Sequence, residues 1–256
     1  MKKALKVIAA AAILAGAHQA LATPSTTYWT PATNYTQPFL VPHITYDTYF
    51  GEPGAYPIIT GLTMGVLPFE KIQAEVGFDL FYPARGESAL FLNGKLTLVE
   101  GAFGEWSPGL SVGIMSVGFK TDVTDYNMLW AFLGKNFGPI GTLGVGGYYG
   151  LNEKLWVDAT GAKQQSGVLA SWMGPDFKVG LTGLDKIVLA ADVQTGKNVF
   201  GAAGGGVYLY FTPAIDLLMG PVFFFEKALQ PGQASWLWTM QLDVDVDFSK
   251  PTPPKT

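Results

Sequence analysis

The residues from Ser235 to Phe248 alternate between apolar and polar side chains with a period of two. A period of two places the two sets on opposite faces of a β-strand. Seven apolar side chains on one face suit a tilted strand that crosses a bilayer with water behind it. The apolar set is Trp236, Trp238, Met240, Leu242, Val244, Val246 and Phe248, and the polar set is Thr239, Gln241, Asp243, Asp245 and Asp247.

Other segments of similar length are separated by turn signals, which brings the number of expected strands to about twelve. An even number of such strands predicts an all-β fold, a single antiparallel up-and-down transmembrane β-barrel over 40–248. Short periplasmic turns should alternate with longer external loops. The expected strands cover 40–50, 56–67, 70–82, 89–99, 109–120, 126–136, 140–151, 166–174, 185–194, 199–211, 215–226 and 235–248.

The connections between these segments differ in length and composition. Three compact turns, at 67–69, 137–140 and 211–214, each place a Pro within two residues of a Phe, and we expect them in the periplasm. The longest polar connection, 152–165, is expected outside, either as a cap or as an inward-folded loop. The other expected external loops are 51–55, 83–88, 121–125, 195–198 and 227–234.

Residues 1–22 have the pattern of a secretory signal peptide. Lys2, Lys3 and Lys6 precede a short apolar core, and Ala20-Leu21-Ala22 forms a small-x-small cleavage site. We therefore expect the mature chain to begin near Thr23. The Thr- and Pro-rich segment 23–39 is expected either in the barrel lumen as a plug or in the periplasm, and 249–256 is expected to form a disordered tail.

Removing this signal leaves 13 basic residues against 20 acidic ones, a net charge of −7. Such a balance argues against nucleic acid as a partner. Only 14% of the chain is charged and 48% is hydrophobic, yet no stretch of the mature chain approaches the length of an apolar transmembrane helix. The absence of cysteine excludes disulfides, c-type haem attachment and thiolate metal sites, and we expect no cofactor.

These features together resemble the bacterial outer-membrane β-barrel proteins, and the likeness to porins extends over most of the mature chain. The signal peptide, the alternating strands with aromatic ends and the closing aromatic residue Phe248 carry the resemblance. It implies export to the outer membrane of a Gram-negative cell and lipid as the surrounding partner. No subfamily is identified, so no functional residue is transferred to this chain.

Ionisable residues gather on the expected inner face. If the first and last strands pair, His43 lies near the acids at the end of the last strand, where like charges favour retained water, a lysine or a bound cation. The cluster is interpreted as a cation-favouring constriction, as a hydrated wall with paired acids, or as a metal site; without an accompanying ligand set we predict no metal. The candidate lumen residues are His43, Asp47, Glu75, Asp79, Lys95, Asp192, Asp216, Asp243, Asp245 and Asp247.

The pattern His43-x-Thr45-x-Asp47 places three polar groups on one strand face. Barrel hydrolases pair histidine with an activated nucleophile, and this pattern offers Thr rather than Ser. We therefore expect a lumen histidine without catalysis, and no enzyme.

Aromatic residues recur near the expected strand ends, where their amphipathic rings fit the headgroup level of a membrane. Those expected at the membrane interface are Phe50, Tyr82, Trp130, Phe223, Trp236, Trp238 and Phe248.

The function expected from a barrel of this size is a narrow passive diffusion channel for small hydrophilic solutes, with a weak preference for cations. Two alternatives stay open: a non-conducting scaffold for a partner protein inserted in the lumen, and a lumen-edge lipid or peptide hydrolase. Assembly as a homo-oligomer also stays open.

Overall fold

The computed structural model describes residues 28–31, 33–51, 56–85 and 88–248. The expected signal peptide and C-terminal tail lie outside these ranges. Period-two alternation of apolar and polar residues produces thirteen strands in the described part of the chain. They are β1 Pro42–Gly51, β2 Ile58–Gly65, β3 Ile72–Arg85, β4 Ser88–Leu98, β5 Gly109–Val117, β6 Met128–Asn136, β7 Thr142–Gly150, β8 Ser166–Met173, β9 Phe177–Leu181, β10 Leu184–Gln194, β11 Ala202–Thr212, β12 Ile215–Phe224 and β13 Trp236–Asp245.

The sheet closes on itself, as the sequence predicts. From β1 to β8 and from β9 to β13 each strand pairs antiparallel with the next in the chain, and β8 pairs with β10. β1 pairs with β13 from His43 opposite Asp245 to Gly51 opposite Leu237. The twelve expected strands are all present, with ends that differ by a few residues from those predicted. Closure satisfies the backbone groups that an open sheet edge would leave unpaired.

One short strand was not predicted. β8 and β9 both pair with β10. β8 pairs with the last residues of β10, from Ala190 to Gln194, and β9 pairs with its first residues, from Leu184 to Ile187. The two are separated by Gly174, Pro175 and Asp176, and Pro175 lacks the N–H that a continuous ladder would use. β9 therefore extends the hairpin with β10 beyond the end of β7, which stops pairing at Thr142 opposite Met173.

Within the described ranges the helical elements are three single 3₁₀ turns, at Gly138–Ile140, Lys227–Leu229 and Pro231–Gln233. No helix among the described residues has the length and apolar character needed to span a membrane.

Apolar side chains on the outside of the barrel form what we name the outer belt. Along β13 the even residues Trp236, Trp238 and Leu242 are exposed, whereas the odd residues from Leu237 to Asp245 are buried. The same alternation holds around the cylinder, so the exposed side of the wall is apolar. The outer belt includes Ile44, Tyr46, Val76, Leu80, Leu96, Val112, Leu129, Leu133, Val145, Val168, Leu189, Trp238 and Leu242.

The two ends of the barrel differ. β1 begins and β13 ends at one end, which we name the turn end, and the connection of two residues between β11 and β12 lies there. The connection 99–108 at the same end is longer than the short turns expected. The opposite end, named the loop end, carries 118–127, 151–165, 195–201 and 225–235.

Candidate functional site: the barrel lumen

The N-terminal stretch before β1 crosses the interior of the barrel. Residues 28–31 and 33–41, which we name the inner segment, contact side chains on strands all around the wall. Tyr28 contacts β10, β12 and β13, whereas Asn34 to Gln37 contact β3, β4 and β5. Phe39 then bridges to Gly65 and the chain enters β1.

A single carboxylate fixes the first part of the inner segment. Oδ2 of Asp192 accepts hydrogen bonds from the backbone N–H groups of Tyr28, Trp29 and Thr30, with N to O distances of 2.9, 2.8 and 2.9 Å. The Thr30 hydroxyl donates to the same oxygen at 3.3 Å. Asp192 is buried on the inner face of β10, so these charge-assisted bonds take the place of its lost hydration.

A buried ion pair fixes the second part. Nζ of Lys95 lies 2.9 Å from Oε1 of Glu75, and both side chains are at least 96% buried. The Lys95 ammonium also donates to the carbonyl of Tyr35 at 2.6 Å, and Oε2 of Glu75 accepts the N–H of Gln37 at 2.7 Å. Glu75 and Lys95 face each other on β3 and β4, so the pair joins two strands and the backbone of the inner segment.

Glycines in the wall make room for the inner segment. A Cβ atom at Gly204 would lie 2.5 Å from the Tyr28 ring, and one at Gly220 would lie 2.7 Å from the Tyr28 hydroxyl. A Cβ atom at Gly134 would likewise meet the side chain of Asn34, and one at Gly65 would meet the backbone of Gln37. Gly204 and Gly206 of β11 and Gly220 of β12 are therefore sterically required, since a larger residue at any of them would meet Tyr28 of the inner segment.

Ionisable side chains cluster at the turn end, where β1, β12 and β13 meet. Nδ1 of His43 lies 2.8 Å from Oδ1 of Asp245, and Nε2 lies 3.4 Å from Oδ1 of Asp243. Asp216 is directly opposite Asp243 on β12 and is buried without a hydrogen-bond partner for either carboxylate oxygen. Asp47 and Asp79 lie further along the wall, where they accept from Thr45 at 2.6 Å and from Asn93 at 3.0 Å.

The sequence placed ten ionisable residues on the inner face, and the structure divides nine of them among four groups. These are His43 with Asp216, Asp243 and Asp245; Glu75 with Lys95; Asp192 alone with the inner segment; and Asp47 with Asp79. Asp247 lies beyond the last residue of β13. The described residues contain no group of three or more His, Asp or Glu side chains placed to hold a metal ion.

The histidine has carboxylate partners rather than a nucleophile. Each ring nitrogen of His43 faces an aspartate, and the Thr45 hydroxyl donates to Asp47. The alternative of a lumen-edge hydrolase would need a hydroxyl activated by the histidine.

A cavity of about 230 Å³ lies in the lumen beside the inner segment. Its lining reaches Tyr56, Pro231 and Val199 near the loop end and His43 and Asp243 deeper in the barrel. Tyr28 and Trp29 of the inner segment form part of its wall. The lumen therefore holds both a chain segment and open space.

Two buried tryptophans were not predicted from the sequence: Trp130 lies on the opposite face of its strand from the one expected, and Trp156 was not singled out. Trp130 was expected at the membrane interface, but it is 6% exposed and packs inside the barrel with Phe132 and Tyr148. In β6 both faces are apolar, so alternation alone does not distinguish the inner face from the outer one. Trp156, in the loop 151–165, is completely buried against Tyr148 and donates to the carbonyl of Tyr126 at 2.8 Å.

The remaining expected interface aromatics are exposed. Phe50, Tyr82, Phe223, Trp236 and Trp238 lie on the outside, and Phe248 lies after β13 and is also exposed.

Comparison with known proteins adds structural neighbours but no family. No protein-family model and no curated protein matches the chain. A mutant of the Rhodobacter blastica porin superposes with a TM-score of 0.38 at 9% identity, covering 73% of this chain and 55% of the porin. An outer membrane channel from Pseudomonas putida superposes with a TM-score of 0.41 at 13% identity, covering 80% of this chain and 94% of the channel.

The chain thus spans about half the length of the porin that it matches. The fold assignment rests on the strand pairing: the chain is a closed, twelve-stranded antiparallel β-barrel with one extra strand, an apolar outside, and an inside that holds both buried polar groups and two apolar clusters.

Proposed function

We propose that this chain is an outer-membrane barrel that acts as a narrow passive channel for small hydrophilic solutes. The observation that carries the proposal is the outer belt around a closed sheet whose inner face holds buried carboxylates. An apolar outside and a polar inside are typical of a barrel with lipid around it and solute within. The signal peptide expected from residues 1–22 agrees with export to that membrane.

A weak preference for cations follows from the charges of the inner face. Carboxylates outnumber basic groups among the inward-facing described residues, because Lys95 balances Glu75 while Asp47, Asp79 and Asp192 have no basic partner within 4.0 Å. A lumen of one sign raises the local concentration of the opposite ion.

The inner segment narrows the route through this lumen. Its contacts lie on strands on opposite sides of the barrel, so a solute must pass beside it or displace it. The proposal accordingly expects a small conductance rather than that of an open pore, which needs roughly 16 strands.

Planar bilayer recording tests the proposal. Purified protein should give discrete current steps, and in a KCl gradient the reversal potential should favour K⁺. Absence of steps at every protein concentration, with the barrel shown to be folded by gel mobility, would refute the channel. A reversal potential that favours Cl⁻ would refute the cation preference alone.

A further inference from the structure

The part of the cavity nearest the loop end has a wall of aromatic side chains. The rings of Phe81 and Phe91 lie with their centroids 4.7 Å apart, and Trp29 packs edge to face on Tyr49 and Phe224 with centroids 6.2 and 5.7 Å away. All five residues line the cavity. Such a surface favours a ligand with an apolar or aromatic body.

Carboxylates without a basic partner lie next to these rings. Asp79 is directly opposite Phe91 in the β3–β4 ladder, and Phe81 follows it on the same face. Asp47 precedes Tyr49 on the inner face of β1. The other two acids that line the cavity each have a basic partner: Glu75 is paired with Lys95, and Asp243 with His43.

The two carboxylates lie on β1 and β3, the strands on either side of β2. β2 runs between them, and its inward position Gly61 pairs with both Thr45 and Asp79. A Cβ atom at Gly61 would lie 2.6 Å from Oδ1 of Asp79 and 2.6 Å from Cγ2 of Thr45, so the absence of a side chain here lets both groups pack over β2. The hydrogen bonds from Thr45 and Asn93 occupy one oxygen of each acid, Oδ1 of Asp47 and Oδ2 of Asp79.

We propose that this cavity binds a small organic cation with an apolar ring, of the class of protonated arylalkyl amines. The ammonium group lies between Asp47 and Asp79, and the ring lies among Phe81, Phe91 and Trp29. Carboxylates and aromatic faces both attract a cation, and a neutral or anionic head group would leave the acids unbalanced. A cavity of about 230 Å³ has room for a ligand of a single ring rather than a drug-sized one.

The inference deepens the proposed function, since it names a solute class for the same lumen, but binding does not require conduction. The test is calorimetric titration of the full-length protein in a non-ionic maltoside detergent, which carries no competing ammonium group. The probe is phenethylammonium chloride. Its comparison compounds are 2-phenylethanol, which lacks the charge, ethylammonium, which lacks the ring, and 3-phenylpropionate, which reverses the charge.

We expect saturable binding of phenethylammonium and affinities at least about tenfold lower for each comparison compound. Equal binding of 2-phenylethanol would overturn the role of the carboxylates. Equal binding of ethylammonium would overturn the role of the rings. Absence of phenethylammonium binding would overturn the whole inference.

Substitutions locate the site. Asp47→Asn and Asp79→Asn each retain an oxygen that accepts the neighbouring hydrogen bond, and each should weaken phenethylammonium binding about tenfold. The matched control is Asp185→Asn, which removes the same charge from an exposed position outside the cavity and should leave the affinity unchanged. Two acid variants are used so that a folding defect in one leaves the other informative.

An unchanged affinity in both folded variants would place the amine elsewhere and overturn the assignment. Bilayer recording in KCl separates this inference from the channel proposal. Binding without current steps refutes conduction and supports the site, whereas current steps without binding refute the site and support conduction.

Discussion

Oδ2 of Asp192 lies 2.9 Å from the backbone nitrogen of Tyr28, and so connects β10 with a residue 164 positions away in the chain. The same oxygen also accepts from Trp29 and Thr30. Three consecutive N–H groups therefore converge on one buried carboxylate, and these charge-assisted bonds fix the start of the inner segment to the wall.

Replacement of this acceptor should release the inner segment. Asp192→Ala leaves three backbone N–H groups without their acceptor, at a cost of about 3 kcal/mol in the free energy of unfolding. We expect a larger single-channel conductance and faster proteolysis near Tyr28. Asp185→Ala, in the same strand but exposed, is the control and should change neither quantity. Unchanged conductance in Asp192→Ala would show that the inner segment does not limit the current.

Gly204 should be sensitive to the smallest substitution. The methyl group of Gly204→Ala meets the Tyr28 ring at 2.5 Å and the carbonyl of Pro221 at 2.9 Å, and overpacking of this kind costs about 1 to 3 kcal/mol. In Gly205→Ala the nearest atoms are 3.2 Å away, so this adjacent variant should cost less. Urea unfolding followed by gel mobility measures both, and equal losses would contradict the packing of Tyr28 against β11.

Removal of one charge of the buried Glu75–Lys95 pair should destabilise the barrel more than removal of both charges. Glu75→Gln leaves a buried ammonium without its carboxylate and should lower the free energy of unfolding by about 3 to 5 kcal/mol. The double variant Glu75→Gln with Lys95→Met removes both charges and should recover part of that loss. The same urea titration measures the three proteins. A double variant that is less stable than the single one would contradict this explanation.

The sequence predicts the barrel well because the outer belt and the inner polar residues follow the strand period. Along β13 every residue from Trp236 to Asp245 lies on the face that alternation assigns to it. β9 was missed because its five residues follow a Gly-Pro break and pair with only one neighbour. Trp130 was placed on the wrong face because Met128, Leu129 and Trp130 are all apolar.

The lumen was predictable only in part. Alternation indicated that Asp192 and Lys95 face inward, but no sequence period shows that they bind the inner segment. Only the structure shows that the Tyr28 ring packs over Gly204 and Gly206 of β11. Closure of the barrel followed from the strand pattern, but the contact between Tyr28 and Asp192, 164 positions apart, has no counterpart in any local sequence pattern.

Trp156 should hold the longest loop at the loop end. Its ring packs on Tyr148 and Phe200 with centroids 5.3 and 5.0 Å away, and Trp→Ala changes at buried sites cost about 3 to 5 kcal/mol. We expect Trp156→Ala to speed cleavage within 151–165 by an added protease. Trp106→Ala, at a position 75% exposed, is the control. Equal cleavage in both variants would contradict the inward packing of this loop.

Contact of the outer belt with lipid is the central claim, and spin labelling tests it most directly. The chain has no cysteine, so single nitroxide labels can be placed at Leu242→Cys and Val145→Cys on the outer belt and at Asp158→Cys in a loop. In lipid vesicles the two belt labels should collide mainly with dissolved oxygen, and the loop label mainly with a water-soluble nickel complex. Access of the nickel complex to both belt labels would contradict a membrane-spanning barrel.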